Sequence, residues 1–225
     1  SQINHANDML DSFLAKCNYK RKTLPPINYE VERFLDKDDD YSYCLIFGCD
    51  PDKDAIEESY ICQPINALKH PYRYGGGHFH VGSLNPNIIE FIKAYYKIMV
   101  RFMAIFVALP CIVNTAYPDL EIKRSEIYGR PGRYRLQNWG LEYRTPSNSW
   151  TNSKITLERM VGGSYLAFEL LQNPKEGKPI LNEFLAPTIE TIKSADKIKA
   201  KDILTSVFHQ CLRISGIKEL AYEYY

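Results

Sequence analysis

The sequence predicts an α+β fold. Short segments rich in aromatic and branched residues, bounded by glycine or proline, lie in the first two thirds of the chain and are typical of strands. Long amphipathic segments fill the last third and are typical of helices. Strands and helices that are separated along the chain favour α+β over alternating α/β. The 225 residues, 45% hydrophobic and 24% charged, are enough for a single domain with its own core.

The predicted elements follow from these patterns and from the breaks between them. The expected order is a helix over 4–18, strands over 41–49 and 72–82, a helix over 88–109, one or two strands within 133–144, and helices over 153–172, 181–195 and 199–214. The Gly162-Gly163 pair marks either a close packing point or a break in the first C-terminal helix. An antiparallel or mixed sheet backed by helices is therefore expected.

The apolar run from residue 88 to residue 109 has the length of a membrane span. Glu90, Lys93, Lys97 and Arg101 interrupt it at spacings of three, four and four, which places all four on one helical stripe. Several charges are costly in lipid, so an amphipathic helix lying on a sheet is the better interpretation.

The net charge and the spacing of the cysteines restrict the classes of partner and the cell compartment that we expect. The net charge of +1 gives no general attraction to nucleic acid or to a lipid surface. The six cysteines form no C-x-x-C pair, and no signal peptide begins the chain. We therefore expect reduced thiols, a cytoplasmic location, and neither nucleic acid nor membrane as a partner.

Two short motifs contain the candidate functional residues. His78 and His80 have the i, i+2 spacing that puts two side chains on one face of a strand, and Glu142 and Arg144 share this spacing. If the two strands are neighbours, two imidazoles, a carboxylate and a guanidinium meet, and such a group can bind a metal ion and an anion.

Arginine is concentrated beside these motifs. Five of the eleven arginines fall within residues 124–144, at positions 124, 130, 133, 135 and 144. Planar guanidinium groups suit carboxylates and phosphates. Three other interpretations stay open: the histidines are polar positions on a half-exposed strand, His-x-His with Glu142 binds zinc, or Arg130–Arg135 is a solvated hairpin.

The motifs resemble the phage-type carboxylate–amine ligases of the glutamine synthetase superfamily. The ordered segments are YGGGHFHVG (74–82), KR (123–124), YGRPGRYR (128–135) and WGLEYRTPSNSW (139–150), and FGCDPD (47–52) also resembles a family segment. The resemblance implies a glutamine synthetase-like fold with a motif core over about 45–155 and a helical part over 153–225. It also implies formation of an amide or peptide-type bond with ATP, through an acyl phosphate, with Mg²⁺ or Mn²⁺ as cofactor.

The resemblance also implies roles for residues. His78 matches a metal ligand and Glu142 the carboxylate that shares its ion. Asp50 and Asp52 could supply further carboxylates, although they resemble a different family segment, and a simple turn at Asp50-Pro51-Asp52 is the other interpretation. Three residues match positions at the nucleotide phosphates: His80, Arg133 and Arg135. Arg144 matches the arginine beside the substrate carboxyl and phosphoryl groups, and Arg124 resembles an arginine that binds a substrate carboxylate. Ser147 and Asn148 would shape the turn after the strand.

One departure from the family pattern supports a second hypothesis. The superfamily's early acidic E-x-E strand has no counterpart before Asp50, and the chain opens at Ser1 in a predicted helix. We interpret the sequence as one ligase-like domain over 1–225 that lacks an N-terminal strand region and an upstream segment. The partners would be a carboxylate and an amine, small or peptidic. The alternative is a non-catalytic structural or interaction protein, encoded by a phage, that keeps the ligase fold within an oligomer or a viral assembly.

Overall fold

The computed structural model describes residues 2–16, 28–30, 52–58, 72–219 and 221. The strands are β1 (Asn28–Glu30), β2 (Lys53–Asp54), β3 (Tyr72–Tyr74), β4 (Phe79–Gly82), β5 (Arg133–Gln137) and β6 (Gly140–Tyr143). The helices are α1 (Gln2–Lys16), α2 (Pro86–Ala94), α3 (Tyr96–Met103), α4 (Leu109–Asn114), α5 (Pro118–Ile127), α6 (Lys154–Gln172), α7 (Pro174–Ser194) and α8 (Lys197–Cys211). A π-helical turn, Ala104–Ala108, joins α3 to α4, and a 3₁₀ turn, Asn148–Asn152, precedes α6.

Four strands form an antiparallel sheet in the order β2-β5-β6-β4, and β1 pairs with β3 separately. Leu141 and Tyr143 of β6 are fully buried in the hydrophobic core, together with Tyr134 of β5. Helices α2 and α3 contact β6 on this face, where Tyr96 packs 5.0 Å from Tyr134. Since side chains alternate along a strand, the intervening residues lie on the opposite face. The α+β class is confirmed.

A tight hairpin joins β5 to β6 through Asn138 and Trp139 and fixes their register. Gly140, which begins β6, has φ +147°, and a Cβ atom there would lie 2.2 Å from the Val81 carbonyl oxygen. A glycine is therefore needed for β4 to approach β6 this closely.

The core is built around the continuous α3–π–α4 segment. Residues 99, 100 and 102–109 are buried, and α6, α7 and α8 pack around them. Gly163 of α6 crosses the π turn so closely that a Cβ would meet the Phe106 carbonyl oxygen at 2.1 Å. The glycine pair thus marks a close packing point, as one of the two interpretations predicted.

The apolar run differs from the predicted single helix over 88–109. Asn85 caps α2, the helix ends at Tyr95, and a second helical segment continues to Asn114. Tyr96–Asn114 is long and apolar enough to cross a membrane by length and composition alone, yet 72% of it is buried within the protein, as in a core helix. Two charges of the predicted stripe, Lys97 and Arg101, pair with Glu58 at 3.3 and 3.6 Å.

Other elements differ from the prediction at their ends. The strand predicted over 72–82 is interrupted at residues 75–78. The helix predicted over 181–195 begins earlier, at Pro174, and it contains Pro179 and Pro187 in its interior. Helix α5 was not predicted, since its charges interrupt any apolar stripe. The strand predicted over 41–49 lies outside the described residues.

Candidate functional site

The strand register brings the two motifs together. His80 of β4 lies opposite Glu142 of β6, and Glu142 lies opposite Arg135 of β5. One row of the sheet therefore carries an imidazole, a carboxylate and a guanidinium on the face turned away from the helices. The prediction that the His-x-His and Glu-x-Arg segments are neighbours is correct.

Glu142 is the centre of this row and is only 5% exposed. Its Oε1 lies 2.9 Å from His78 Nδ1 and accepts a hydrogen bond from Arg144 Nη1, while its Oε2 accepts one of 3.0 Å from Gln137 Nε2. Burial acts to raise the pKa of Glu142, but the Gln137 hydrogen bond and the Arg144 charge outweigh it. The pKa lies below its ordinary value, so the carboxylate is ionised at neutral pH.

His78 precedes β4 and reaches Glu142 from the interrupted stretch between β3 and β4. Burial, assisted by the charge of Arg144, lowers the pKa of His78 to about 4. The imidazole is therefore neutral at pH 7, which is the form that binds metal ions.

His80 completes a potential metal-binding group. Ligand atoms of His78, His80 and Glu142 all lie within 4.8 Å of one another. His80 is exposed and its ring stacks on Trp139 of the hairpin turn at 4.9 Å. Two imidazoles and a carboxylate are a donor set for Zn²⁺ or Mn²⁺ and less typical of Mg²⁺.

Asp52 adds a second carboxylate from the chain before β2. Its Oδ1 lies 2.6 Å from Arg144 Nε and 3.7 Å from Arg135 Nη2, and Arg135 Nη1 lies 3.7 Å from Glu142 Oε2. Burial raises the pKa of Asp52, against the opposing charge of Arg144 and Arg135. Two carboxylates and two guanidinium groups thus form a network without net charge.

The remaining predicted arginines, Arg133 and Arg124, are also buried. Arg133 is 6% exposed, its Nε lies 3.7 Å from Asp54 Oδ2, and its Nη1 has no hydrogen-bond partner within the described residues. Arg124 is 2% exposed, and it donates to three backbone carbonyls, those of Gly75, Thr145 and Pro146. The guanidinium of Arg124 thus ties two segments together, the one around Gly75 and the one that follows β6.

Two participants were missed from sequence. Tyr128 Oη lies 2.7 Å from His78 Nε2 and accepts from Arg144 Nη2 at 3.1 Å. Gln137 could have been found, because it lies two residues beyond Arg135 on a predicted strand. Tyr128 begins the YGRPGRYR segment that resembles the family, but no role was predicted for it, and it follows the unpredicted helix α5. Asp50 lies outside the described residues.

Ser147 and Asn148 lie in the turn after β6, as expected. The Ser147 side chain accepts a hydrogen bond from Ser149 N at 3.3 Å and donates one to Glu121, while Gly76 bridges to Ser147. The turn after β6 thus contacts the stretch between β3 and β4 in which His78 lies.

Fold and side chains together define an α+β protein whose sheet carries two histidines and a glutamate that could hold a metal ion, beside two arginines. Such a site can bind a divalent cation and an anion side by side. Residues 67–176 match the sequence model of the family described as phage phiEco32-like COOH.NH2 ligase-type 2. The matched segment contains every site residue from His78 to Arg144, although not Asp52. This part of the chain is therefore similar to a carboxylate–amine ligase family, as the motifs predict.

No curated protein and no solved structure matches the chain. The α+β class therefore rests on the structure itself, and the glutamine synthetase-like architecture stays a prediction.

Proposed function

We propose that this protein is an ATP-dependent carboxylate–amine ligase that works through an acyl phosphate. A substrate carboxylate oxygen would bond to the γ-phosphorus of ATP as the bond to the β-phosphate oxygen breaks, and ADP would leave. The amine would then bond to the acyl carbon, lose a proton, and displace inorganic phosphate. The products are an amide, ADP and phosphate.

The observation that carries this proposal is the row His80–Glu142–Arg135 across three strands, within a segment that matches a ligase family. Phosphoryl transfer needs divalent cations that neutralise phosphate charge and guanidinium groups that hold phosphoryl and carboxyl oxygens. This row supplies cation ligands and a guanidinium group from three paired strands, so the relative positions of cation and anion would be fixed by backbone register.

The donor set fits a divalent cation. His78, His80 and Glu142 would hold it, with Asp52 as a further oxygen ligand close by. A bound cation would offset negative charge on the transferred phosphoryl group. His78 is neutral and Glu142 ionised at neutral pH, so no proton has to be removed by a change of pH before the site can accept a cation.

Anion binding would fall to three arginines with different roles. Arg135, 26% exposed at its side chain, is the most accessible of them and would meet the nucleotide phosphates. Arg133 would contribute its buried Nη1, whose hydrogen-bonding capacity is unused within the described part of the chain. Arg144 would hold the substrate carboxyl and phosphoryl oxygens.

We assign Arg124 a positioning role in place of direct contact with a substrate carboxylate. Its bonds to the carbonyls of Thr145 and Pro146 hold the segment that follows Arg144. Arg124 and Arg144 are both 2% exposed, but the partners of Arg124 are backbone carbonyls, which no cation site competes for, whereas Arg144 is held by the carboxylates of Asp52 and Glu142. Arg124 is therefore the poorer receptor for an incoming carboxylate.

The direct experiment measures ADP formation by the intact gene product. ADP should appear only when Mg²⁺ or Mn²⁺, a carboxylate mixture and an amine mixture are all present, and omission of any one should abolish it. Binding of nucleotide by calorimetry is the companion measurement. If the intact product binds neither ATP nor ADP at millimolar concentration with a divalent cation present, the ligase function is wrong.

One observation favours a second candidate, a non-catalytic structural or interaction protein. Arg144 and Arg135 each contact both Asp52 and Glu142, and this network is balanced without any ligand. A fold kept only for its stability would retain such pairs. In that case Glu142→Gln and Arg144→Ala would lower stability, and the wild type would bind no cation.

A further inference from the structure

Four side chains close a ring of contacts at the base of the site. Tyr128 Oη lies 2.7 Å from His78 Nε2, and His78 Nδ1 lies 2.9 Å from Glu142 Oε1. Arg144 contacts the same Glu142 oxygen through Nη1 and Tyr128 Oη through Nη2 at 3.1 Å. Both imidazole nitrogens of His78 are thus engaged within the protein.

The chemistry of these groups determines the direction of each hydrogen bond. Arg144 can only donate, and the ionised Glu142 can only accept. The hydroxyl of Tyr128 accepts from Arg144, so its own proton is available to His78 Nε2. His78 Nδ1 then carries the imidazole proton and donates it to Glu142.

The opposite tautomer is less well matched. With the proton on Nε2, His78 Nδ1 could accept from Arg144 Nη1 at 3.3 Å. Its lone pair would then face the Glu142 oxygen at 2.9 Å with no proton between two acceptors. The metal-free chain should therefore hold His78 in the Nδ1–H form.

A cation shared by His78 Nδ1 and Glu142 Oε1 would occupy the place of that proton. The imidazole would then carry its proton on Nε2, where the Tyr128 hydroxyl oxygen can accept it. A hydroxyl serves either tautomer, because it is both donor and acceptor. The exchange moves one proton from Nδ1 to Nε2 and leaves the imidazole neutral. The Tyr128 O–H turns away from Nε2, and its oxygen accepts the Nε2 proton in place of donating to that nitrogen.

The position of Tyr128 is built into the surrounding chain. Its ring lies between two guanidinium groups, with Arg124 Cζ 5.2 Å and Arg144 Cζ 5.8 Å from the ring centroid. A Cβ on Gly76 would lie 2.5 Å from His78 Nε2 and 2.9 Å from Tyr128 Oη. Only a glycine at position 76 leaves room for the hydroxyl–imidazole contact.

We propose that Tyr128 is the positioning residue of the cation site: its hydroxyl orients the His78 ring and accepts the Nε2 proton when a divalent cation binds between His78 and Glu142. This inference rests on the cation site of the proposed function. Partners that hold the second nitrogen of a metal-binding histidine typically change metal affinity by ten- to hundredfold.

The test compares wild type with Tyr128→Phe. Mn²⁺ affinity is measured by calorimetry, and the tautomer of His78 in the metal-free protein is read from long-range ¹H–¹⁵N spectra, with its signal assigned by loss in His78→Gln. We expect the Nδ1–H form in both metal-free proteins, because Glu142 accepts that proton in each, and a Mn²⁺ affinity at least about tenfold lower in the variant. Tyr143→Phe is the matched control, because it removes a buried tyrosine hydroxyl next to Glu142 on the opposite strand face.

Each alternative result has one meaning. A wild type that binds no Mn²⁺ overturns the proposed cation site and this inference with it. A wild type that binds Mn²⁺ while Tyr128→Phe binds it equally well overturns the role of Tyr128 alone. If Tyr128→Phe does not fold, the wild-type spectrum decides: a metal-free His78 in the Nε2–H form contradicts the inference, and the Nδ1–H form supports it.

Discussion

Arg144 uses each of its three nitrogens on a different partner. Nη1 donates to Glu142, Nη2 donates to Tyr128, and Nε lies 2.6 Å from Asp52 Oδ1. The point charge of a lysine cannot reproduce this planar fork. We expect Arg144→Lys to lose nearly as much ADP formation as Arg144→Ala. Wild-type-like activity in the lysine variant would show that Arg144 acts only as a general positive charge.

Arg124 supports loops, so its loss should be seen in stability. Arg124→Ala leaves the carbonyls of Thr145 and Pro146 without their donors and the nearby Glu121 without its counter-charge. Breaking such a buried arrangement costs about 3 kcal/mol or more of unfolding free energy. Arg130→Ala is the control, because Arg130 bonds only the exposed Glu126 carbonyl, and about 0.5 kcal/mol is expected. Urea denaturation measures both; equal losses would contradict the structural role.

His78 should make stability depend on pH. Its folded pKa is lowered to about 4 from 6.5, so between these values the unfolded chain binds the proton more readily than the folded chain. The free energy of unfolding therefore falls as the pH drops through this window. His78→Gln should show a shallower decline between pH 6.5 and pH 4 in denaturant titrations. Parallel profiles for the two proteins would rule out a buried, neutral His78.

At the scale of elements, the crossing of α6 over the π turn depends on one glycine. Gly163→Ala would place a Cβ 2.1 Å from the Phe106 carbonyl oxygen, and neither backbone can move without disturbing the core. Overpacking of this kind costs about 1–3 kcal/mol. Ser164→Ala, the next residue on the same helix, should change stability by less than about 1 kcal/mol. The melting temperatures of the two variants provide the comparison.

The hairpin that carries the site could be predicted from the sequence. Alternation along residues 133–144 and the turn at Trp139-Gly140 suffice to place Glu142 and Arg144 on one face, and the His-x-His spacing does the same for β4. These are local properties of a strand, so they do not depend on contacts with distant parts of the chain. The three helices after Pro146 were predicted for the same reason, with errors only at their ends.

Interactions between distant segments could not be predicted in this way. Arg124 lies in α5 and Tyr128 follows it. The position of each side chain depends on tertiary contacts, which leave no local pattern in the sequence. A buried guanidinium bound by backbone carbonyls looks the same in sequence as one that binds substrate. The break at residues 75–78 was also missed, because Gly76 and Gly77 are required by contacts with residues about 50 to 75 positions away.

At the scale of the whole molecule, the site is balanced before any ligand enters. Asp52 and Glu142 offset Arg135 and Arg144, so a cation that takes the carboxylates would release both guanidinium groups for an anion. Cation and nucleotide should therefore bind more tightly together than separately, which is a coupling between two ligands at one network. The proposed acyl-phosphate mechanism would have the same requirement, because phosphoryl transfer uses both at once.

Glu142 contacts both the histidines that would hold a cation and the arginines that would hold an anion. Glu142→Gln keeps the shape of the side chain and removes its charge, so it tests cation binding and anion binding separately. Calorimetry of wild type and variant should be run with Mn²⁺ and, separately, with inorganic phosphate in the absence of metal. Mn²⁺ affinity should fall at least about tenfold, roughly 1.4 kcal/mol, while phosphate binding stays equal or strengthens as Arg135 and Arg144 lose a competing carboxylate. Equal Mn²⁺ affinity in the two proteins, or joint loss of both ligands together with thermal stability, would contradict a cation site at Glu142.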